Sequence, residues 1–179
     1  TTDCDDVSYS ALDEATKKAQ VEVAYAKSMY AGSSNASTKL AGEFFGILAG
    51  PTPAEVRAGI DAAINYMEDE CYFVSADDEE SIVYFAHTIS STGTYLSSIA
   101  QIAVGEPLAY LIAPPLEAMY AIDRALKHAK VELRTFYGPP TETNFAGGLL
   151  TGLEADCFAA CEEFASAVCE VADKPIALY

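Results

Sequence analysis

Positive charge is scarce in this sequence. Lys and Arg total 10 against 27 Asp and Glu, a net charge of −17 over 179 residues. Nucleic-acid recognition needs a basic footprint and is excluded. Such a surface suits cationic or neutral small molecules, or serves solubility alone. No apolar run reaches the ~20 residues of a membrane-spanning helix, so no membrane partner is expected. No basic start followed by a hydrophobic core marks a secretory signal. Histidine is limited to His87 and His128, and neither stands near another candidate ligand. The five cysteines are Cys4, Cys71, Cys157, Cys161 and Cys169. An odd count without framework spacing predicts free thiols in a reducing compartment. Cys157 and Cys161, one helical turn apart, read as half a metal site or as small apolar residues on a buried helix face; the second reading is preferred. There is no Gly-x-Ser-x-Gly elbow and no phosphate-cradling glycine loop. Neither histidine has an evident Ser or Cys partner. No catalytic residue, metal or required cofactor is therefore expected.

What the chain has is a repeat. Residues Ala11–Val23 (ALDEATKKAQVEV) recur as Ala121–Leu133 (AIDRALKHAKVEL) at an offset of 110, with seven of thirteen positions identical. Thr38–Glu43 echoes Thr143–Gly148, which sets Glu43 against Gly148. Two copies of one unit imply a tandem protein. With 51% hydrophobic residues the chain has ample apolar material for a core.

Local signals fill in each copy. Ser10 with Asp13 three residues on suggests a capping box for a short helix over 11–19. Val21–Tyr25 alternates as a strand, and Leu40–Leu48 reads as a glycine-containing strand. Thr52-Pro53-Ala54-Glu55 starts a helix that runs to about Met67, with Val56, Ile60, Ala63, Ile64 and Met67 on its apolar stripe. The second copy predicts a helix over 116–129, strands over 131–136 and 144–150, and a helix over 153–171. Ahead of it come strands over 82–87 and 108–112 around a short helix over 93–99. The expected class is α+β, with antiparallel-rich sheets flanked by helices. Subtracting the offset places the counterpart of strand 108–112 upstream of Thr1. The first copy is thus expected to lack an N-terminal strand–helix–strand, about 40 residues ahead of Thr1. The expected domains are 1–75 and 76–179.

Asp5-Asp6-Val7-Ser8-Tyr9, Asp13–Lys17, Val21-Glu22-Val23, Gly50–Glu55, Tyr95–Ser98, Ala113–Ala118 and Glu142-Thr143-Asn144 together resemble the EutL-type tandem shell proteins of ethanolamine-utilisation bacterial microcompartments. The resemblance spans essentially the whole chain and lies in the order and spacing of these segments. It implies two circularly permuted microcompartment domains per chain and a pseudohexagonal homotrimer. It also implies a gated central pore and tiling with other shell proteins of a compartment in the cytoplasm. Ethanolamine and cobalamin are the ligands it suggests.

Functional residues are sought where the copies differ. Asp5 and Asp6 face Pro115 and Leu116 in the repeat, and Glu43 faces Gly148. Asp5, expected at a strand end, and Glu43 are candidate ligands for a primary ammonium such as ethanolamine. Such a group offers three donors to a carboxylate pair; solvated acids at strand ends are the plainer alternative. The acidic linker Glu68–Glu80 carries two aromatics. Tyr72 and Phe73 are candidate pore plugs, with Asp77 and Asp78 on a cation-attracting rim; an acidic linker with core aromatics is the alternative. Loop Met29–Ser37 is a second gating candidate. The competing function is a tandem α+β small-molecule sensor, which need not be trimeric; an enzyme acting on an amine would show turnover.

Overall fold

A computed structural model describes residues 1–29, 43–139 and 145–174; of Glu43 it describes the backbone only. In chain order the elements are α1 (Asp5–Lys18), β1 (Glu22–Met29), β2 (Glu43–Ala49), α2 (Pro53–Asp69), β3 (Val74–Ser75), β4 (Val83–Ile89), α3 (Thr94–Ala100), β5 (Leu108–Ala113), α4 (Pro115–His128), β6 (Val131–Tyr137), β7 (Ala146–Gly152) and α5 (Glu154–Asp173). The chain forms two compact units. The first comprises Thr1–Tyr72 and Ser90–Glu106; the second comprises Phe73–Ile89 and Pro107–Tyr179. Among the described residues, no helix is long and apolar enough to cross a membrane.

In the first unit β1 and β2 form an antiparallel hairpin. α1 and α2 pack together, with Ala11, Leu12, Ala15, Ala63 and Tyr66 buried. α1 begins six residues before the expected helix. Ser10 is therefore not a cap: it lies inside α1 and its hydroxyl donates to the Asp6 carbonyl at 3.0 Å. Asp13 does not close a capping box either. Its carboxylate receives the backbone N–H of Gly93 at 2.7 Å and of Leu96 at 2.8 Å. These bonds hold α3 in the first unit, so Ser90–Glu106 leaves the span 76–179. α2 starts as expected: Thr52 caps it, accepting from the Glu55 N–H at 3.2 Å, with Pro53 in the first turn. Its buried residues are Gly59, Ala63 and Tyr66, whereas Ile60 and Ile64 of the expected stripe are exposed.

In the second unit the strand order is β3-β4-β5-β7-β6, all antiparallel. α4 and α5 cover one face. Ala118, Ala121, Ile122, Cys157, Ala160, Cys161 and Phe164 meet Ala109, Leu111 and Leu150 there. Their small side chains let helices sit close to the sheet.

The repeat is visible in the strand register. The β1–β2 pairing shifts between Val23 and Tyr25, and the β6–β7 pairing shifts between Leu133 and Thr135. Val23 faces Leu48 as Leu133 faces Leu150. This register corrects the alignment of Glu43. It matches Phe145, not Gly148, because the loop between the paired strands differs in length in the two copies. The fold is a mixed α/β arrangement of antiparallel sheets with helices packed against them.

Candidate functional site

Asp5 lies in the first turn of α1, not at a strand end. The residues around it explain that: Cys4, with extended backbone, precedes the helix, and Asp5 and Asp6 supply first-turn acids. Carboxylates there are favoured by the unsatisfied N–H groups of the helix start. Both side chains are buried, each 6% exposed. The Asp6 N–H donates to Asp5 Oδ1 at 3.0 Å. Burial pushes the Asp5 carboxyl above the usual carboxylate range, while the neighbouring Ser28 hydroxyl and the Asp6 N–H work against that shift.

The backbone joins the segment that leads into α1 to the start of β2. Thr2 and Phe44 exchange two hydrogen bonds, Thr2 N–H to Phe44 O at 3.1 Å and Phe44 N–H to Thr2 O at 2.9 Å. The segment entering α1 is thereby pinned beside the start of β2, where the Glu43 backbone pairs with Met29. The Glu43 side chain lies outside the described residues.

Two further residues adjoin Phe44. Tyr9 packs edge-on against Phe44 at 4.9 Å and stacks on Tyr95 at 6.1 Å. Its hydroxyl accepts the Ser28 N–H at 3.2 Å. Ser28 is 4% exposed, and its Oγ has no hydrogen-bond partner among the described residues. A buried carboxyl with a buried, unpartnered hydroxyl nearby is a donor-poor pair of acceptors whose chemistry matches a small cation with several donors.

The linker residues are placed differently from one another. Tyr72 is 65% exposed. Phe73 is half-buried in the second unit, tilted on Phe85 at 5.3 Å and edge-on to Phe145 at 5.7 Å. Asp77 organises a turn: Oδ1 accepts the Ser81 N–H at 2.7 Å and Oδ2 accepts the Ser81 hydroxyl. The Ser81 hydroxyl holds the Asp77 carboxyl below its ordinary range. Asp78 is exposed. Of the second gating candidate, Met29 ends β1 and residues 30–37 lie outside the described residues.

Known proteins resemble this chain in sequence and in fold. Residues 1–77 match the BMC domain. The bacterial microcompartment shell protein EutL of Clostridium perfringens is 62% identical over 176 residues, covering 98% of this chain and 81% of its own. Its namesake from Escherichia coli is 53% identical, covering 97% and 80%. The crystal structure of ethanolamine utilization protein EutL from Leptotrichia buccalis is 66% identical, covers 99% and 82%, and has a TM-score of 0.93.

The chain belongs to the EutL family of bacterial microcompartment shell proteins.

The EutL relatives are named as shell proteins. Burial pushes the thiols of Cys4, Cys71 and Cys161 up to about 12 and that of Cys157 up to about 11. Such thiols are poor nucleophiles at neutral pH. Cys157 and Cys161 sit in the apolar core of the second unit. Among the described residues no three His, Cys, Asp or Glu side chains are placed to hold a metal. Sequence reasoning missed Ser28, Tyr9 and the capping role of Asp13. Ser28 alone left a trace: it is a polar residue on the inward side of a strand whose outward residues are exposed.

Proposed function

We propose that this chain is a structural shell protein of the ethanolamine-utilisation bacterial microcompartment in the cytoplasm, with no catalytic role. The observation that carries this reading is its 51–62% identity to EutL shell proteins along nearly its whole length. The duplicated unit supports the assembly. Two similar wedges per chain allow three chains to close a pseudohexagonal ring around a central pore. Such discs tile with other shell proteins, metabolites and large cofactors cross at the pore, and cobalamin is a further candidate ligand.

Ethanolamine binds at Asp5 and Glu43 in this account. The buried Asp5 carboxyl, the Thr2–Phe44 backbone bridge that joins the segment entering α1 to the start of β2, and the names of the relatives support the assignment. A carboxylate pair would hold the ammonium by charge-assisted hydrogen bonds. Ethanolamine bound by the closed form alone would hold the pore shut, by no more than its differential affinity allows. Tyr72 and Asp78, being exposed, are the linker residues suited to a pore lining. Calorimetric titration of ethanolamine tests the site. Asp5→Asn with Glu43→Gln is expected to abolish binding; unchanged affinity would remove the assignment.

A further inference from the structure

Ser28 is buried for a reason that packing does not supply. Alanine would fill the same space in β1 without a polar atom to satisfy. Burying a hydroxyl without a partner costs stability, and buried polar groups of native proteins are almost always paired. The backbone N–H of Ser28 is satisfied by Tyr9, but Oγ is not. Oγ faces the Asp5 carboxyl and favours its charged form, yet completes no hydrogen bond of normal geometry with it. The surroundings are firm. Phe44 faces Ser28 across the hairpin, and Tyr9 is wedged between Phe44 and Tyr95.

We propose that Ser28 is a specificity-determining residue of the amine site, its Oγ accepting a hydrogen bond from the ammonium held by Asp5. This inference rests on the reading of Asp5 as an amine ligand and adds the ligand class: small primary amines. A primary ammonium has three N–H donors; Asp5 takes one and Ser28 another. Each N-methyl group replaces a donor with an apolar volume. Beside Tyr9 and Phe44, a dimethylated nitrogen keeps a single N–H donor, so it loses a hydrogen bond and leaves the buried Ser28 hydroxyl unsatisfied. A site built around polar atoms rejects such analogues more strongly than an apolar pocket does.

The test is calorimetric titration of the whole chain with ethanolamine and with N,N-dimethylethanolamine, using wild type, Ser28→Ala and Asp5→Asn. Wild type is expected to prefer the primary amine. Ser28→Ala is expected to bind ethanolamine about tenfold more weakly and to lose most of that preference. Its melting temperature without ligand is expected to match or exceed that of wild type, because the unsatisfied hydroxyl is gone. If Asp5→Asn loses binding while Ser28→Ala keeps wild-type affinity and preference, the role of Ser28 is overturned and the amine site stands. If Asp5→Asn binds as wild type does, the site itself is misplaced and both readings fall. A wild type that binds both amines equally also overturns the role of Ser28, whatever the variant does.

Discussion

Asp13 on α1 accepts the backbone N–H of Gly93 at 2.7 Å, across 80 residues of sequence, and the N–H of Leu96 at 2.8 Å from its other oxygen. One fully buried carboxyl thus caps the start of α3. Thr16 reinforces the joint, its Oγ1 accepting the Thr94 N–H at 3.0 Å. Asp13→Ala leaves two buried donors unsatisfied, and hydrogen bonds to charged groups contribute about 1.5–3 kcal/mol each. We expect a loss of about 3 kcal/mol in urea unfolding, with hydrogen exchange accelerated first at Gly93–Leu96. Unchanged exchange there would show that α3 is held by other contacts.

Gly147 of β7 approaches β5 closely. An added Cβ would stand 1.9 Å from the Leu111 carbonyl oxygen and 2.7 Å from Ile112 Cδ1. A backbone atom cannot swing aside as a side-chain tip can, so Gly147→Ala must displace a strand. The expected cost is about 2–4 kcal/mol, in the range of overpacking and strain, read in the thermal unfolding of the chain. In the first unit the matching register position is Phe45, 40% exposed. Phe45→Ala is expected to cost under about 1 kcal/mol.

Tyr72 and Phe73 are adjacent in sequence and opposite in environment. Phe73→Ala removes ring contacts with Phe85 and Phe145 and is expected to destabilise the chain by about 2 kcal/mol. Tyr72→Ala, at an exposed position, is expected to fall within about 0.5 kcal/mol of wild type. Equal losses in chemical denaturation would contradict this placement.

The repeat made the fold readable, because identical spacing of apolar residues dictates the same helix, bulge and strand twice. It could not distinguish copies of one residue by environment. Asp13 and Asp123 are matched in the repeat, yet Asp13 is buried as a cap while Asp123 faces solvent beside Lys127. The difference comes from α3, a segment some 80 residues away that only the first unit recruits. The α1 start differs from its sequence expectation for a related reason. Ser10 and Asp13 mimic a capping box, and the true first turn, Asp5–Ser8, is made of residues that local propensity assigns to loops. Asp5 stands out in the sequence by its difference from Pro115; its burial is not legible there, since groups from both α1 and β1 surround it.

The pH dependence follows from Asp5. Its carboxyl titrates above the ordinary value in the folded chain because burial disfavours the charge. Below the unfolded value, about 3.9, both states hold the proton and the stabilising contribution is complete. It is lost as pH rises through the folded value. Asp5→Asn removes this titration. Urea midpoints measured from about pH 4 to about pH 7 should therefore shift in the variant's favour as pH rises. Ethanolamine affinity should run the other way, strengthening as pH rises because the ammonium pairs with the carboxylate. Parallel wild-type and variant profiles would contradict the burial of Asp5.

Mass photometry of the intact chain across concentration bears most directly on the shell reading. Two wedges per chain require a particle of three chains that persists on dilution and builds into sheets when concentrated. A particle of one chain at every concentration would contradict that account.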